Sequence, residues 1–366
     1  MKIISKDLIE ALLKNGSIKF EGLMSLPWFL EYIARDIPTA KIFYISNLGI
    51  IIPVLLIKKN LLKVAYVPSP PNLIREGLEL SNFNFDLLKR ISETIDYHIL
   101  IARAHPYDKF SRFGLLLTKN CFLVKDRADL FLNLKRSITE IYYNFEKRTR
   151  YALRKSLGLK DTELLRKFAE DPYLRNVVYE ESSEKGIQLF SKLLKYQFTK
   201  IALETGRKNS RELLRLYSYY SIENIKKVFT ILGREGLIRL FFAQKDTSEP
   251  EAGVALFVSK KYLYSPMAYW WLGASTYLAE KKGLPTILQF SIINILKKEG
   301  YERYFLGGVG TDFRQVSSGP TLFKRGFTRD FKQGYLLIDV RGGFLNRLRF
   351  LSNPAIFRLI RHFVNL

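Results

Sequence analysis

The sequence predicts an α+β protein built from a duplicated unit. Two observations carry this. An order of several apolar strands, then a helix, then one more strand occurs twice along the chain. A hydrophobic content of 47 % in 366 residues is enough for two ordinary cores. Identity between the halves is negligible, so the duplication rests on element order, with one mixed sheet expected per copy.

The elements follow in order. The N-terminus carries Asp7 and Glu10 inside its first apolar helix, which argues against a secretory signal. Glu21–Ala34 is expected as an early helix holding Trp28. Apolar strands follow at Ala40–Ser46, Gly49–Lys58 and Leu61–Val67, stopped by the proline-rich turn Pro68–Pro71. Phe83–Ile95 has helical spacing, Tyr97–Ala104 is a continuous apolar strand of the buried kind, and Leu115–Lys125 is one more strand. A long basic helix is expected over Leu130–Leu157, ending at Gly158, and then a polar stretch, Asp161–Asn176, of helix and loop.

In the second half helices are expected over Gly186–Thr205 and Arg211–Ile222. Four strands follow at Lys227–Arg234, Leu237–Gln244, Ala252–Ser259 and Leu263–Trp271, with turns at Glu235–Gly236 and Lys260–Lys261. Pro285 opens a helix that Gly300 closes. Tyr301–Leu306, Leu322–Phe327 and Tyr335–Val340 read as the last strands.

Composition narrows the function classes. The one cysteine, Cys121, excludes a disulfide framework and a cysteine-based zinc site, and three histidines do not make a histidine-rich metal centre. No metal and no cofactor is expected, and a reducing cytosol is the expected compartment. No segment is apolar enough to span a bilayer: Leu48–Ile57 is too short and contains Pro53. The net charge of +24 is the strongest compositional signal. A field of that size draws in polyanions, whether RNA, nucleotide phosphates or an anionic membrane face; the alternative is a generally basic, solvated surface.

Five segments of the second half form an ordered series: Glu251–Ala255 (EAGVA), Trp270–Ser275 (WWLGAS), Pro285–Gln289 (PTILQ), Tyr304–Val309 (YFLGGV) and Leu322–Phe327 (LFKRGF). Before them stands Thr149-Arg150, with Arg154 and Gly158. This series resembles the FemABX peptidyltransferases, in which A-G-x-A, G-A-S, L-G-G-[VI], F-K-x-x-F and T-R-x-x-[IL]-R recur at similar spacing. The match covers about Thr149 to Asp339; the first half matches in element order and in its Pro68–Pro71 turn. The resemblance implies two tandem GNAT-like domains: 1–145, completed by 330–343, and 146–329, which holds the active site. It implies an N-acyltransferase that moves an aminoacyl or acyl group, from a donor such as aminoacyl-tRNA, to an amine of a peptide or carrier-linked acceptor.

Residue roles follow from the resemblance. It puts the family's motif lysine at Lys324, where a fixed ammonium would stabilise the tetrahedral oxyanion of amine attack on an ester. On a strand, Phe323 and Phe327 would anchor in the core while Lys324 points into a cleft; the alternative is an exposed lysine paired with Asp330. Gly307 and Gly308 would let a ligand approach the backbone, or simply form a tight turn. No P-loop and no strand–GxGxxG–helix unit is present. Trp270 and Trp271 alternate faces, one in the core and one, taken as Trp271, lining the cleft with Ser275. Arg150 and Arg154 share a helix face and would clamp an anionic substrate, unless that face is a solvated one with structural ion pairs. His105 stands where the family often has Asp-Pro and would act as a general base, the alternative being a loop histidine.

The tail 344–366 has two basic amphipathic stretches, suited to an anionic membrane or to packing on the body. The pyrophosphate loop of ordinary acyl-CoA enzymes is missing before Pro285, which argues for a donor other than CoA. Two rival functions remain: an acyl-CoA-dependent GNAT N-acetyltransferase, and a non-catalytic RNA- or membrane-binding module.

Overall fold

The computed structural model describes residues 2–47, 50–59, 62–68, 72–73, 93–104, 121–175, 177–204, 221–246, 249–308 and 319–340. In the first half β1 (Lys2–Ser5) leads into α1 (Lys6–Lys14), capped by Ser5. The helix expected over Glu21–Ala34 is shorter: a 3-10 turn at Leu23–Ser25 precedes α2 (Pro27–Ala34), because Pro27 suits a first turn and not a helix interior. The three expected strands form as β2 (Ala40–Asn47), β3 (Ile50–Lys59) and β4 (Leu62–Val67). The short β5 (Asn72–Leu73) and β6 (Ile99–Ala104) follow. The helix expected over 83–95 lies almost wholly outside the described residues.

Three expected elements change type. The long basic helix is in fact a strand and two helices: β7 (Cys121–Asn133), α3 (Ile138–Tyr143) and α4 (Lys147–Leu157). Leu130, Leu132 and Leu134 are all buried, a period of two that belongs to a strand, and the Ser137/Glu140 capping box starts α3 afresh. After α5 (Asp161–Glu170), β8 (Val178–Glu180) and α6 (Glu184–Glu204), the strand expected over Lys227–Arg234 is instead α7 (Ile222–Leu232). Its buried residues Ile225, Val228, Phe229 and Leu232 keep helical spacing, and Ser221 caps it.

The remaining elements are β9 (Ile238–Ala243), β10 (Ala252–Ser259), β11 (Met267–Ser275), α8 (Tyr277–Lys282), α9 (Leu284–Lys298), β12 (Arg303–Gly308), α10 (Gly319–Arg325) and β13 (Phe331–Val340). The strand expected over Leu322–Phe327 is therefore largely helix α10. Pro320 near its start is the helix punctuation that a period-two reading overlooks.

Among the described residues the strands join in one thirteen-stranded sheet, ordered β1-β2-β3-β4-β6-β13-β7-β12-β11-β10-β9-β8, with β5 on β3. Each half contributes antiparallel strands and one parallel pair, β4 with β6 and β11 with β12. The two mixed halves meet edge to edge through β13 and β7. In the second half both faces are covered. Helices α4, α5 and α9 lie over one face; α6, α7 and α2, from the first half, lie over the other. Strand β10 is buried along its whole length, which explains its unbroken apolar run.

The pair β11/β12 positions the site. The strands are in register from Met267↔Arg303 to Tyr269↔Phe305 and then part. Each has a bulge just there, between Ala255 and Leu256 of the β10/β11 ladder and between Phe305 and Gly307 of the β12/β7 ladder. Bulges bend a strand and re-aim its side chains.

Candidate active site

Where β11 and β12 part, a crevice forms around Lys324. Helix α10 brings this residue to the end of β12, where its Nζ donates to the Gly308 carbonyl at 3.5 Å. The same ammonium lies 5.6 Å from the centroid of the Trp270 ring, and the residue is half-buried. A cation over an indole face in a partly desolvated site is held by the ring quadrupole.

Glycine makes the approach possible. Gly307 has φ +84°, a left-handed conformation that L side chains rarely adopt. A Cβ there would lie 3.4 Å from Lys324 Nζ and 3.7 Å from Tyr269 Cε1, so the missing side chain is the space into which both residues converge. On β11 the bulge at Trp271 shifts the alternation, so that Gly273 comes under the Trp270 indole: a Cβ on Gly273 would lie 2.7 Å from Trp270 Cζ2.

Aromatic packing fixes α10. The Phe323 ring meets Trp270 edge-on at 5.8 Å and Phe327 at 5.2 Å. Spacing of four serves a helix turn as it serves two strand steps, so the expected Phe323–Phe327 pair survives the change of element. Helix α4 buttresses α10 from outside. Arg148 donates to the Leu322 carbonyl at 2.8 Å and the Glu146 amide to the Gly326 carbonyl at 2.9 Å. Gly326 is required: a Cβ would fall 2.2 Å from Thr149 Oγ1.

On the other side of Gly307, the Tyr269 hydroxyl donates to Asp129 Oδ1 at 3.1 Å, and Asp129 is the register partner of Gly308. The crevice thus has an ammonium on one side and a phenol–carboxylate pair on the other. Sequence reasoning missed Trp270, Tyr269 and Asp129. Asp129 stands in a stretch expected to be mostly strand-then-helix boundary, and the period-two burial of Leu130, Leu132 and Leu134 was the signal that could have placed it on a strand.

Lys324, Phe323, Gly307 and Gly308 are brought together; the other expected site residues that are described have different partners. Trp271 stacks on Phe257 at 5.0 Å and meets Tyr32 at 6.0 Å, on the face away from Lys324. Ser275 is tied down at the far end of β11, its amide donating to Gln197 at 3.3 Å and its hydroxyl to Glu280 at 3.0 Å. Arg150 lies with its guanidinium 5.6 Å from the Tyr143 ring centroid. Arg154 is held by Asp161 at 3.1 Å, and Asp161 also accepts from Tyr142, whose phenol burial pushes well above its ordinary range. A cavity of about 540 Å³ lies there, against Tyr151, Arg154, Lys155, Leu159, Lys160 and Asp161. Asp330 pairs with Arg136 at 3.1 Å. His105 and the tail 344–366 lie outside the described residues. Among the described residues no group of histidine, cysteine or carboxylate side chains is arranged to hold a metal ion, and no helix is long and apolar enough to cross a membrane.

No protein-family model and no curated protein sequence matches the chain. Solved structures do. The fold matches FemX with a TM-score of 0.64 at 14 % identity, over 95 % of this chain and 99 % of that one. It matches L-PGS from Bacillus licheniformis with a TM-score of 0.53 at 12 % identity, over 94 % of each chain. It also matches a conserved protein of unknown function from Bacteroides thetaiotaomicron, with a TM-score of 0.51 at 10 % identity, over 85 % of this chain and 89 % of that one. The paired α+β fold of FemX is therefore the fold of this chain.

Proposed function

We propose that the chain is an N-acyltransferase of FemABX type, with the crevice between β11 and β12 as its active site. One observation carries the reading: the Lys324 ammonium is held half-buried between the Trp270 ring and the Gly307–Gly308 backbone, where the two strands part. The amine nitrogen of the acceptor attacks the carbonyl carbon of an acyl ester, and the carbonyl electrons move onto oxygen. The Lys324 ammonium stabilises that oxyanion, an effect strongest in a water-poor site. Collapse expels the donor hydroxyl, and the amine loses one proton. The Tyr269 hydroxyl, already donating to Asp129, offers that proton a path.

The donor in this reading is aminoacyl-tRNA, which the net charge of +24 favours, and the acceptor is an amine on a peptide or carrier-linked precursor. The chemistry belongs to the unit of 146–329. Asp129 reaches the crevice from the unit of 1–145, which 330–343 completes.

The test is transfer from a charged tRNA to an amine-bearing peptide, in wild type and in Lys324→Ala. The expected result is a fall in turnover of about a hundred- to a thousandfold with donor binding little changed. Equal turnover in the two proteins removes Lys324 from the chemistry. Saturable transfer from acetyl-CoA, with none from charged tRNA, moves the donor to the acyl-CoA class.

A further inference from the structure

Beyond Trp270, β11 runs on to Ser275, which carries the chain roughly 15–20 Å from the crevice to the start of α8. An exposed tyrosine stands there among cations. Tyr277 is 54 % exposed, with the Lys281 ammonium 4.5 Å and the Lys200 ammonium 5.8 Å from its ring centroid.

The backbone around Tyr277 and the Lys200 side chain are tied in place. The Tyr277 amide donates to the Tyr196 hydroxyl at 3.4 Å, and the Thr276 hydroxyl caps α8 by accepting from the Ala279 amide. Lys200 is fixed on Glu280 at 2.6 Å, the carboxylate that also accepts from Ser275. Behind α8, Gly283 packs so closely on α4 that a Cβ would lie 2.0 Å from Ser156 Oγ. The Tyr277 ring itself contributes little burial, which leaves its faces and edge open to a ligand.

Exposed aromatic rings set among cations are the chemistry that recognises unpaired nucleotides. A base stacks on the ring, whatever its identity, while the ammonium groups meet the flanking phosphates. We propose that Tyr277, with Lys281 and Lys200, is a stacking platform for the unpaired end of an RNA whose acyl-bearing terminus reaches the crevice. This rests on the aminoacyl-RNA reading above. It assigns the donor a second contact, a few nucleotides away from the reacting carbonyl.

The test is fluorescence anisotropy with a labelled single-stranded RNA oligonucleotide. Tyr277→Leu is expected to weaken binding about tenfold, Tyr277→Phe to bind like wild type, and Lys281→Ala to weaken binding and flatten its salt dependence. Equal binding by Tyr277→Leu and wild type overturns the proposal. So does retention of the protein on anionic phospholipid vesicles, lost in Tyr277→Leu, with no affinity for the oligonucleotide. The two readings fail separately. If Lys324→Ala leaves transfer intact while Tyr277→Leu still weakens RNA binding, the crevice assignment falls and what stands is the RNA contact at Tyr277, without its link to the crevice. If Lys324→Ala abolishes transfer and RNA binding ignores Tyr277, the platform alone falls.

Discussion

At the scale of single residues, the crevice depends on side chains that are missing as much as on those present. Gly307 and Gly273 leave the room that the Lys324 ammonium and the Trp270 indole occupy. A second residue-scale device holds β12 at its start. Glu302 accepts from Ser265 at 2.6 Å and pairs with Lys135 at 2.9 Å. The Ser265 hydrogen bond, and then Lys135, hold the Glu302 carboxyl below its ordinary value of 4.5. A lowered folded value means that the unfolded chain binds the proton more readily. The stabilisation is then fully present above the ordinary carboxylate range and is lost as the pH falls through the lowered value. Glu302→Gln should therefore be less stable than wild type near neutral pH, with the gap closing below about pH 4. Urea unfolding across that range reads it out; a gap that persists unchanged into acid would remove the assignment. The pairs Lys324–Trp270 and Tyr269–Asp129 were not legible in the sequence, because their members come from distant elements.

At the scale of elements, punctuation decided what hydrophobic pattern left ambiguous. The stretch Lys227–Arg234 is apolar enough for a strand, yet Ser221 caps a helix whose buried residues continue at helical spacing to Leu232. Ser221 accepts from the Asn224 amide at 3.3 Å. Ser221→Ala should cost about 1 kcal/mol in thermal or urea unfolding, and Ser221→Asp should retain most of it. No loss in the alanine variant would show that packing on α2 and α6 alone holds the helix. Helix α10 teaches the same lesson. The phenyl spacing of four at Phe323 and Phe327 fits a strand or a helix, and Pro320 at the start of the segment is the signal for helix. Strands β9, β10 and β12, by contrast, were legible nearly to their ends, because they are apolar runs bounded by turn residues.

At the scale of the whole molecule, two mixed sheets become one. Strands β7 and β13 close the gap between the halves, and α2 from the first half packs against the second, with Phe29 edge-on to Phe257 at 5.0 Å. The net charge of +24 acts at this scale too. If the donor is an RNA, its binding should lose about a thousandfold in affinity between roughly 50 and 200 mM salt, as phosphate contacts release counterions. Titration of tRNA at several salt concentrations measures this. An affinity independent of salt would detach the charge from donor binding.

The sequence by itself determined the α+β class, most of the strands and the basic character, since each of these is written in local period or composition. Only the tertiary structure decided which side chains meet. Trp270 rather than Trp271 faces Lys324 because of the way β11 pairs with β10, a bulge at Trp271 then brings Gly273 to the same face, and Asp129 reaches the crevice because β7 pairs beside β12. Both outcomes depend on strand register and partner, which are properties of contacts between distant segments and leave no mark in either segment alone.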